Sequence, residues 1–216
     1  MLSGSIYLQP PELPPPYLAL LPLSVPLSFS GDNCMLCKKL TKRAGIEEPS
    51  VKIAGPLTYS ESGANLPFTF ELKNVGNAPV LFGTFHAWLE PFYYRSNIVA
   101  IQKRRCDNIK DQPVKNEFTI FPDKTYPSGG VSVAYSAIMP PDVIRAAQKA
   151  TGKNVITMQV IGCVDYTFTA DLRHHHQTRF TFTVLRRAPF PIFFTPGEAI
   201  PQEDLSFSWP EDISAD

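Results

Sequence analysis

Between Ser50 and Arg187 the apolar residues tend to recur at every second position, the spacing of extended strands with one buried face. Leu66, Phe68, Phe70 and Leu72 alternate with Pro67, Thr69, Glu71 and Lys73, which is the clearest instance. Residues 50–54, 80–89, 117–121, 131–135, 154–169 and 176–187 supply the other strand candidates. Turn formers separate them. Asn74-Val75-Gly76-Asn77-Ala78-Pro79 offers Gly and Asn for positive φ and a proline to stop the ladder. Pro127-Ser128-Gly129-Gly130 reads as a hairpin or bulge, and Gly83 marks a bulge or a close approach inside a bulky strand. About seven such strands predict an antiparallel all-β sandwich, and the β/α alternation of a parallel sheet is absent.

Two short helices interrupt the strands. Ser96 is placed to cap the first, along which Ile98, Ile101 and Ile109 recur at near-helical spacing up to about Lys110. Pro140-Pro141-Asp142 introduces the second, over residues 143–150, and Gly152 ends it. Longer helical architecture is excluded by 22 prolines, about twice the usual share, because proline is expelled from helix interiors. Twenty Lys and Arg balance twenty Asp and Glu, which speaks against an overall electrostatic grip on nucleic acid or anionic lipid.

Three segments follow from these patterns. Residues 1–49 form a leader broken by Pro10-Pro11, Pro14-Pro15-Pro16, Pro22 and Pro26, expected to be extended and mostly disordered. Its apolar run, residues 17–29, is shorter than the roughly 20 residues of a spanning helix, and no Lys or Arg precedes Lys38 as a secretory signal requires. Residues 50–187 are the folded domain. Residues 188–216 return to proline and aromatics with six acids and no Lys or Arg, and read as an exposed acidic tail. The competing reading folds this tail back onto the modestly basic domain. Phe190, Phe193 and Phe194 are too apolar to be wholly solvated.

Four cysteines are present. Cys34-Met35-Leu36-Cys37 has the spacing of a redox dithiol or half a zinc site, but lacks the strand and helix of the first and the second pair of the other. It reads as incidental. Cys106 and Cys163 admit two readings: a disulfide stapling helix to sheet in an oxidising compartment, or two buried thiols in the cytosol. The residues alone do not choose.

Candidate chemistry is sparse. His174 and His176 point the same way if extended, and Asp171 or Asp165 would complete a metal site in the turn before the last strand. A solvated loop explains the run His174-His175-His176 equally. His86 reads as a sheet-face or core histidine, so no catalytic triad can be assembled. Phosphate-binding glycine loops, nucleophile elbows and zincin signatures are missing. Lys103-Arg104-Arg105, with Lys110 and Lys115, makes a basic patch beside Phe92, Tyr93 and Tyr94 that would suit an anion or single-stranded nucleic acid. A solvated helix face is the simpler account.

Several segments together are similar to a known group. Residues 70–79 resemble the strand-Asn-x-Gly-x-x-Pro stretch of bacterial Ig-like modules. Arg105-Cys106-Asp107, Phe121-Pro122, Gly162-Cys163-Val164-Asp165-Tyr166 and His176-Gln177-Thr178-Arg179-Phe180 resemble a group of uncharacterised bacterial envelope proteins, in which a membrane helix usually precedes one such module. The resemblance covers about residues 50–187. It implies an Ig-like sandwich outside the cytoplasm, a Cys106–Cys163 bond and membrane association, although a proline-rich leader stands where the spanning helix is expected. It brings no catalytic residue and no cofactor. The expectation is an all-β antiparallel Ig-like sandwich of about seven strands with two short helices and proline-rich tails. Its role is non-catalytic, through contacts with an unidentified protein partner or a surface.

Overall fold

The computed structural model describes residues 45–92, 97–110, 112, 117–187 and 193–208. Its strands in chain order are β1 (Ser50–Ile53), β2 (Leu57–Ser60), β3 (Gly63–Lys73), β4 (Val80–Phe92), β5 (Phe118–Ile120), β6 (Thr125–Tyr126), β7 (Val133–Met139), β8 (Thr157–Phe168), β9 (Asp171–Arg186), β10 (Glu198–Ile200) and β11 (Leu205–Ser208). Helix α1 spans Ile98–Lys110 and α2 spans Pro141–Thr151. The expected all-β sandwich with two short helices is what forms.

All strand pairing is antiparallel. In the first sheet β3 is central. Strands β1 and β2 lie end to end along one edge of it, with β10 beyond β2, and β7 and β6 line the other edge. The second sheet runs β11-β9-β8-β4-β5. The alternation along β3 does what its period demands: Ala64, Leu66, Phe68, Phe70 and Leu72 are buried between the sheets. Opposite them sit Phe85, Phe180, Phe182 and Phe207, in a column of rings that joins the layers. Phe70 and Phe85 stack at 3.7 Å, and Phe85 and Phe180 at 5.2 Å. Such contacts add about 0.5–1.5 kcal/mol per pair beyond area burial.

Among the described residues eleven strands replace the seven expected, because short strands carry too few residues to show a period. Strands β2 and β6 are two of these. The other two overturn the exposed-tail reading: β10 pairs with β2, and β11 pairs with β9. Phe194 is fully buried, Phe193 is exposed, and Phe190 lies outside the described residues. The acidic character of the tail is used locally, where Glu198 faces Arg186 at 3.6 Å. At the other end Ile46 is buried and accepts a hydrogen bond from Thr178 at 3.1 Å, so packing begins before the alternating pattern does.

Two local mechanisms differ from expectation. The β3–β4 turn does not use positive φ at Gly76 or Asn77. The buried Asn74 side chain shapes it instead: Nδ2 donates to the carbonyls of Ala78 (2.8 Å) and Ile120 (2.9 Å), while Oδ1 accepts from the Gly76 N–H (2.9 Å). Ser96 lies outside the described residues, and Asn97 caps α1, its Oδ1 accepting from the Ala100 N–H at 3.0 Å. Gly83 behaves as expected, since the Phe118 ring fills the space that a Cβ would need. The register of β4 against β5 shifts across the same stretch.

Strand β8 is buried along its whole length, on both faces. Gly162 at its middle is required by two neighbours: a Cβ there would come within 2.3 Å of both the His86 carbonyl oxygen and the Phe180 ring. Because one obstacle is backbone, the clash cannot be relieved by a rotamer change. Gly162→Ala is therefore expected to destabilise the fold by about 1–3 kcal/mol, read as a lower midpoint in urea with an unchanged slope.

Candidate functional site

The outer face of the second sheet carries most of the polar chemistry. On β8 it presents Gln159, Ile161, Cys163, Asp165 and Thr167, the residues opposite in pleat to the core-facing Val160, Val164 and Tyr166. Cross-strand neighbours add Thr84, His86 and Trp88 from β4, and Gln177 and Arg179 from β9. Helix α1 lies over the middle of this face and is bound mainly by polar groups. Its buried residues are Gln102, Cys106 and Ile109, one stripe at helical spacing, whereas Ile98 and Ile101 are only half-buried.

Each buried residue of α1 has a specific anchor. Cys106 is bonded to Cys163, with Cα atoms 6.1 Å apart and both residues fully buried. Gln102 donates from Nε2 to the carbonyls of Gly162 (3.0 Å) and Phe180 (2.6 Å). From below, the buried Gln177 donates to the Cys106 carbonyl at 2.7 Å and to Oδ1 of Asp165 at 3.0 Å. Asp165 is itself buried, and its Oδ2 accepts from Nδ1 of His175 at 2.6 Å. The carboxylate thereby fixes which imidazole nitrogen carries the proton.

Ion pairs flank this centre. Arg105 pairs with the buried Glu90, and its guanidinium sits 5.4 Å from the centre of the Trp88 ring. Burial pushes the Glu90 carboxyl above its ordinary value, and Arg105 opposes that rise. Asp107 is paired with Lys103 and, at 3.3 Å, with Arg179. The hydrogen bond from Lys103 is the main reason its carboxyl is held below the usual range. Lys103 and Arg105, two of the five residues in the expected basic patch, are thus engaged internally, and Lys110 is half-buried at the end of α1. Arg104 is the exposed one without an ion pair among the described residues; Tyr93, Tyr94 and Lys115 lie outside those residues.

The three histidines stand in strand β9, not in the turn before it, because β9 begins at Asp171. Their alternation is as expected. His174 and His176 share one carboxylate, lying 2.6 Å and 3.3 Å from the oxygens of Asp171, while His175 turns to Asp165 on the other face. The hydrogen bond from His174 is the leading cause that lowers the Asp171 carboxyl from its ordinary value. The His176 ring rests on Phe168 at 4.5 Å. Among the described residues no three His, Cys, Asp or Glu side chains are grouped to hold a metal ion, and Asp165 does not join this pair. His86 is on the sheet face, stacked at 6.1 Å against Trp88, with Nε2 3.1 Å from the Thr84 hydroxyl. Cys34 and Cys37 lie outside the described residues.

Sequence reasoning brought out Cys106, Cys163, Asp165 and the histidines but missed Glu90, Gln102 and Gln177. The spacing 102, 106, 109 was a usable signal, since an inward Cys106 carries Gln102 and Ile109 with it. No family model, no curated protein and no solved structure matches this chain.

Removing Arg105 leaves Glu90 as a buried charge without its main partner. Arg105→Ala should cost about 3 kcal/mol at pH 8. Glu90 is raised in the folded state, so between its unfolded and folded values the native protein binds the extra proton and stability falls as pH rises. The variant raises the folded value further, so its deficit should shrink as pH falls through that value, leaving in acid the part that comes from the lost Trp88 contact. Urea midpoints compared from pH 4 to pH 8 measure this, and a deficit independent of pH would refute it.

Proposed function

We propose that this chain is a non-catalytic Ig-like module of the bacterial cell envelope that acts through protein or surface contacts. The observation that carries the reading is the fully buried Cys106–Cys163 bond, which ties α1 to the centre of the second sheet. Stable disulfides belong to oxidising compartments such as the periplasm and cell surface. The polar residues at the contact between α1 and the sheet support a structural role rather than turnover. Asp165, Gln177, Gln102 and Glu90 are buried, and each is bonded to a neighbour within the protein. Envelope location and the Ig-like kinship rest on the resemblance of residues 50–187, and membrane association rests on that resemblance alone. Among the described residues no helix is long and apolar enough to cross a membrane.

Thiol titration of a Cys34→Ser/Cys37→Ser protein recovered from bacterial envelope fractions tests the compartment. No reactive thiol should appear in the folded or the denatured state without reductant. Two thiols released by denaturant alone would overturn the assignment. The Cys106→Ser/Cys163→Ser variant should lose about 4 kcal/mol, the chain-entropy value for a separation of 57 residues. Loss of a measurable turnover on changing His175 or Asp165 would overturn the non-catalytic part.

A further inference from the structure

One end of the sandwich collects most of the exposed apolar side chains. Ile120, Val80, Phe168 and Asp171 are cross-strand neighbours in one row of the second sheet, which brings the turns β3–β4, β5–β6 and β8–β9 to the same end. Strand β6 pairs with Leu72 and Lys73, and β7 starts opposite Phe70, so the connection between these two strands lies at this end too. Val75, Phe82, Phe121, Val131 and Leu172 stand here, five of the nine large apolar side chains that the described residues leave exposed. We propose that this end seats on an anionic lipid surface, with Phe82, Phe121 and Leu172 entering the interface and Lys124 and Arg173 meeting headgroup phosphates. The proposal deepens the contact-module reading and rests on it.

Backbone geometry holds two of these side chains out. The register of β4 shifts around Phe82 against both β5 and β8, and Phe82 has φ 51°, a left-handed conformation that a bulky L residue rarely adopts. Its ring is nonetheless exposed, so burial within the fold does not explain the conformation. On the other side of β8, residues 172–175 of β9 stand opposite the single Thr167 and bulge outward. Three histidines fix this bulge, His174 and His176 on Asp171 and His175 on Asp165, and it presents Leu172 and Arg173 to solvent. The Asn74 N–H donates to the Lys124 carbonyl and the Asn74 carbonyl accepts from Asp123, which ties the turn carrying Val75 to the turn after Phe121. Apolar side chains carried on bonded turns and bulges need little ordering when they meet a surface.

Charge and chain direction select lipid as the occupant. Lys124 and Arg173 are exposed and have no ion pair among the described residues. Two acids at this end are already engaged: Glu47 faces Lys73 at 3.8 Å, and Asp171 is shared by His174 and His176, which leaves Asp123 as the exposed opposing charge. Apolar side chains beside unpaired cations suit a lipid interface, where the former pass the headgroups and the latter are drawn to anionic lipid. A second copy joined symmetrically through this end would bring the same cations together, which disfavours it. The chain also enters the fold here, since the Val75 N–H donates to the Gly45 carbonyl and the Glu47 N–H to the Lys73 carbonyl. The apolar run 17–29 lies in the residues that precede Gly45, and a lipid surface suits that run as well as this end.

The test sediments the full chain, carrying Cys34→Ser/Cys37→Ser, with vesicles of phosphatidylcholine or of an equal mixture with phosphatidylglycerol. Binding to the mixed vesicles is expected, weakened about tenfold by Phe121→Ser/Leu172→Ser and about tenfold by Lys124→Glu/Arg173→Glu. Added salt should weaken it too. Because the run 17–29 is itself apolar, a second measurement reads this end alone. A nitrobenzoxadiazole label on Leu172→Cys should shift to the blue on mixed vesicles, and the same label on Ile138→Cys should not. All the substituted side chains of the domain are exposed, and circular dichroism confirms that the variants fold. Absence of binding overturns the proposal, and so does binding indifferent to either pair of substitutions, equal binding to phosphatidylcholine alone, or a silent label on residue 172. A concentration-dependent dimer that Phe121→Ser/Leu172→Ser dissolves, without vesicle binding, overturns it in favour of a second copy. If the thiols are oxidised and the vesicles are not bound, the lipid proposal falls and the contact-module reading stands.

Discussion

Strand β8 is buried on both faces, and the rest of the structure follows from that constraint. Its inner face is ordinary, with Val160, Val164 and Tyr166 packed among the rings of β3, β4 and β9. Its outer face carries Gln159, Cys163, Asp165 and Thr167, groups that normally keep a sheet face in water. Covering them means desolvating them, and each desolvated group needs a partner. A conventional amphipathic helix could not supply those partners. The chain uses a polar helix instead, and its attachment depends on directional bonds rather than on apolar area.

That choice explains why a disulfide sits where it does. Only Ile109 gives α1 a buried aliphatic residue on the sheet, so area burial contributes little to holding the helix. The Cys106–Cys163 bond supplies attachment that does not depend on area, and the two amide side chains then set the orientation. Gln102 reads the carbonyls of Gly162 and Phe180 from above; Gln177 reads the carbonyl of Cys106 from below. Gly162 takes part in both layers: its carbonyl receives Gln102, and its missing side chain leaves room for the Phe180 ring. Gly162 is therefore a point of β8 at which the helix and the core both make contact.

The strands that were legible in the sequence are those long enough to show a period. Residues 66–73 declare β3 because four apolar positions alternate without interruption. Strand β8 was visible as an apolar run, yet its two-sided burial was not, because periodicity cannot tell a covered outer face from a solvated one. The apolar stripe of α1 misled for a related reason. Ile98 and Ile101 look inward by hydropathy, but the helix turns Gln102 and Cys106 to the sheet because bonds, not apolar area, set its rotation. The tail was misread since β10 and β11 have three and four residues, too few for alternation, and their acids suggested solvent.

The lateral seams of the sandwich are closed by local devices rather than by further strand pairing. At the seam between β4 and β7, the Ala87 N–H is taken by the Tyr135 hydroxyl at 3.4 Å. Pro91 offers no N–H there, and α2 packs against both β3 and β4. These are the devices by which an edge is made inert. At the β1–β11 seam, Gln202 takes the Ile53 carbonyl, Lys52 places a charge on the edge, and both strands are only four residues long.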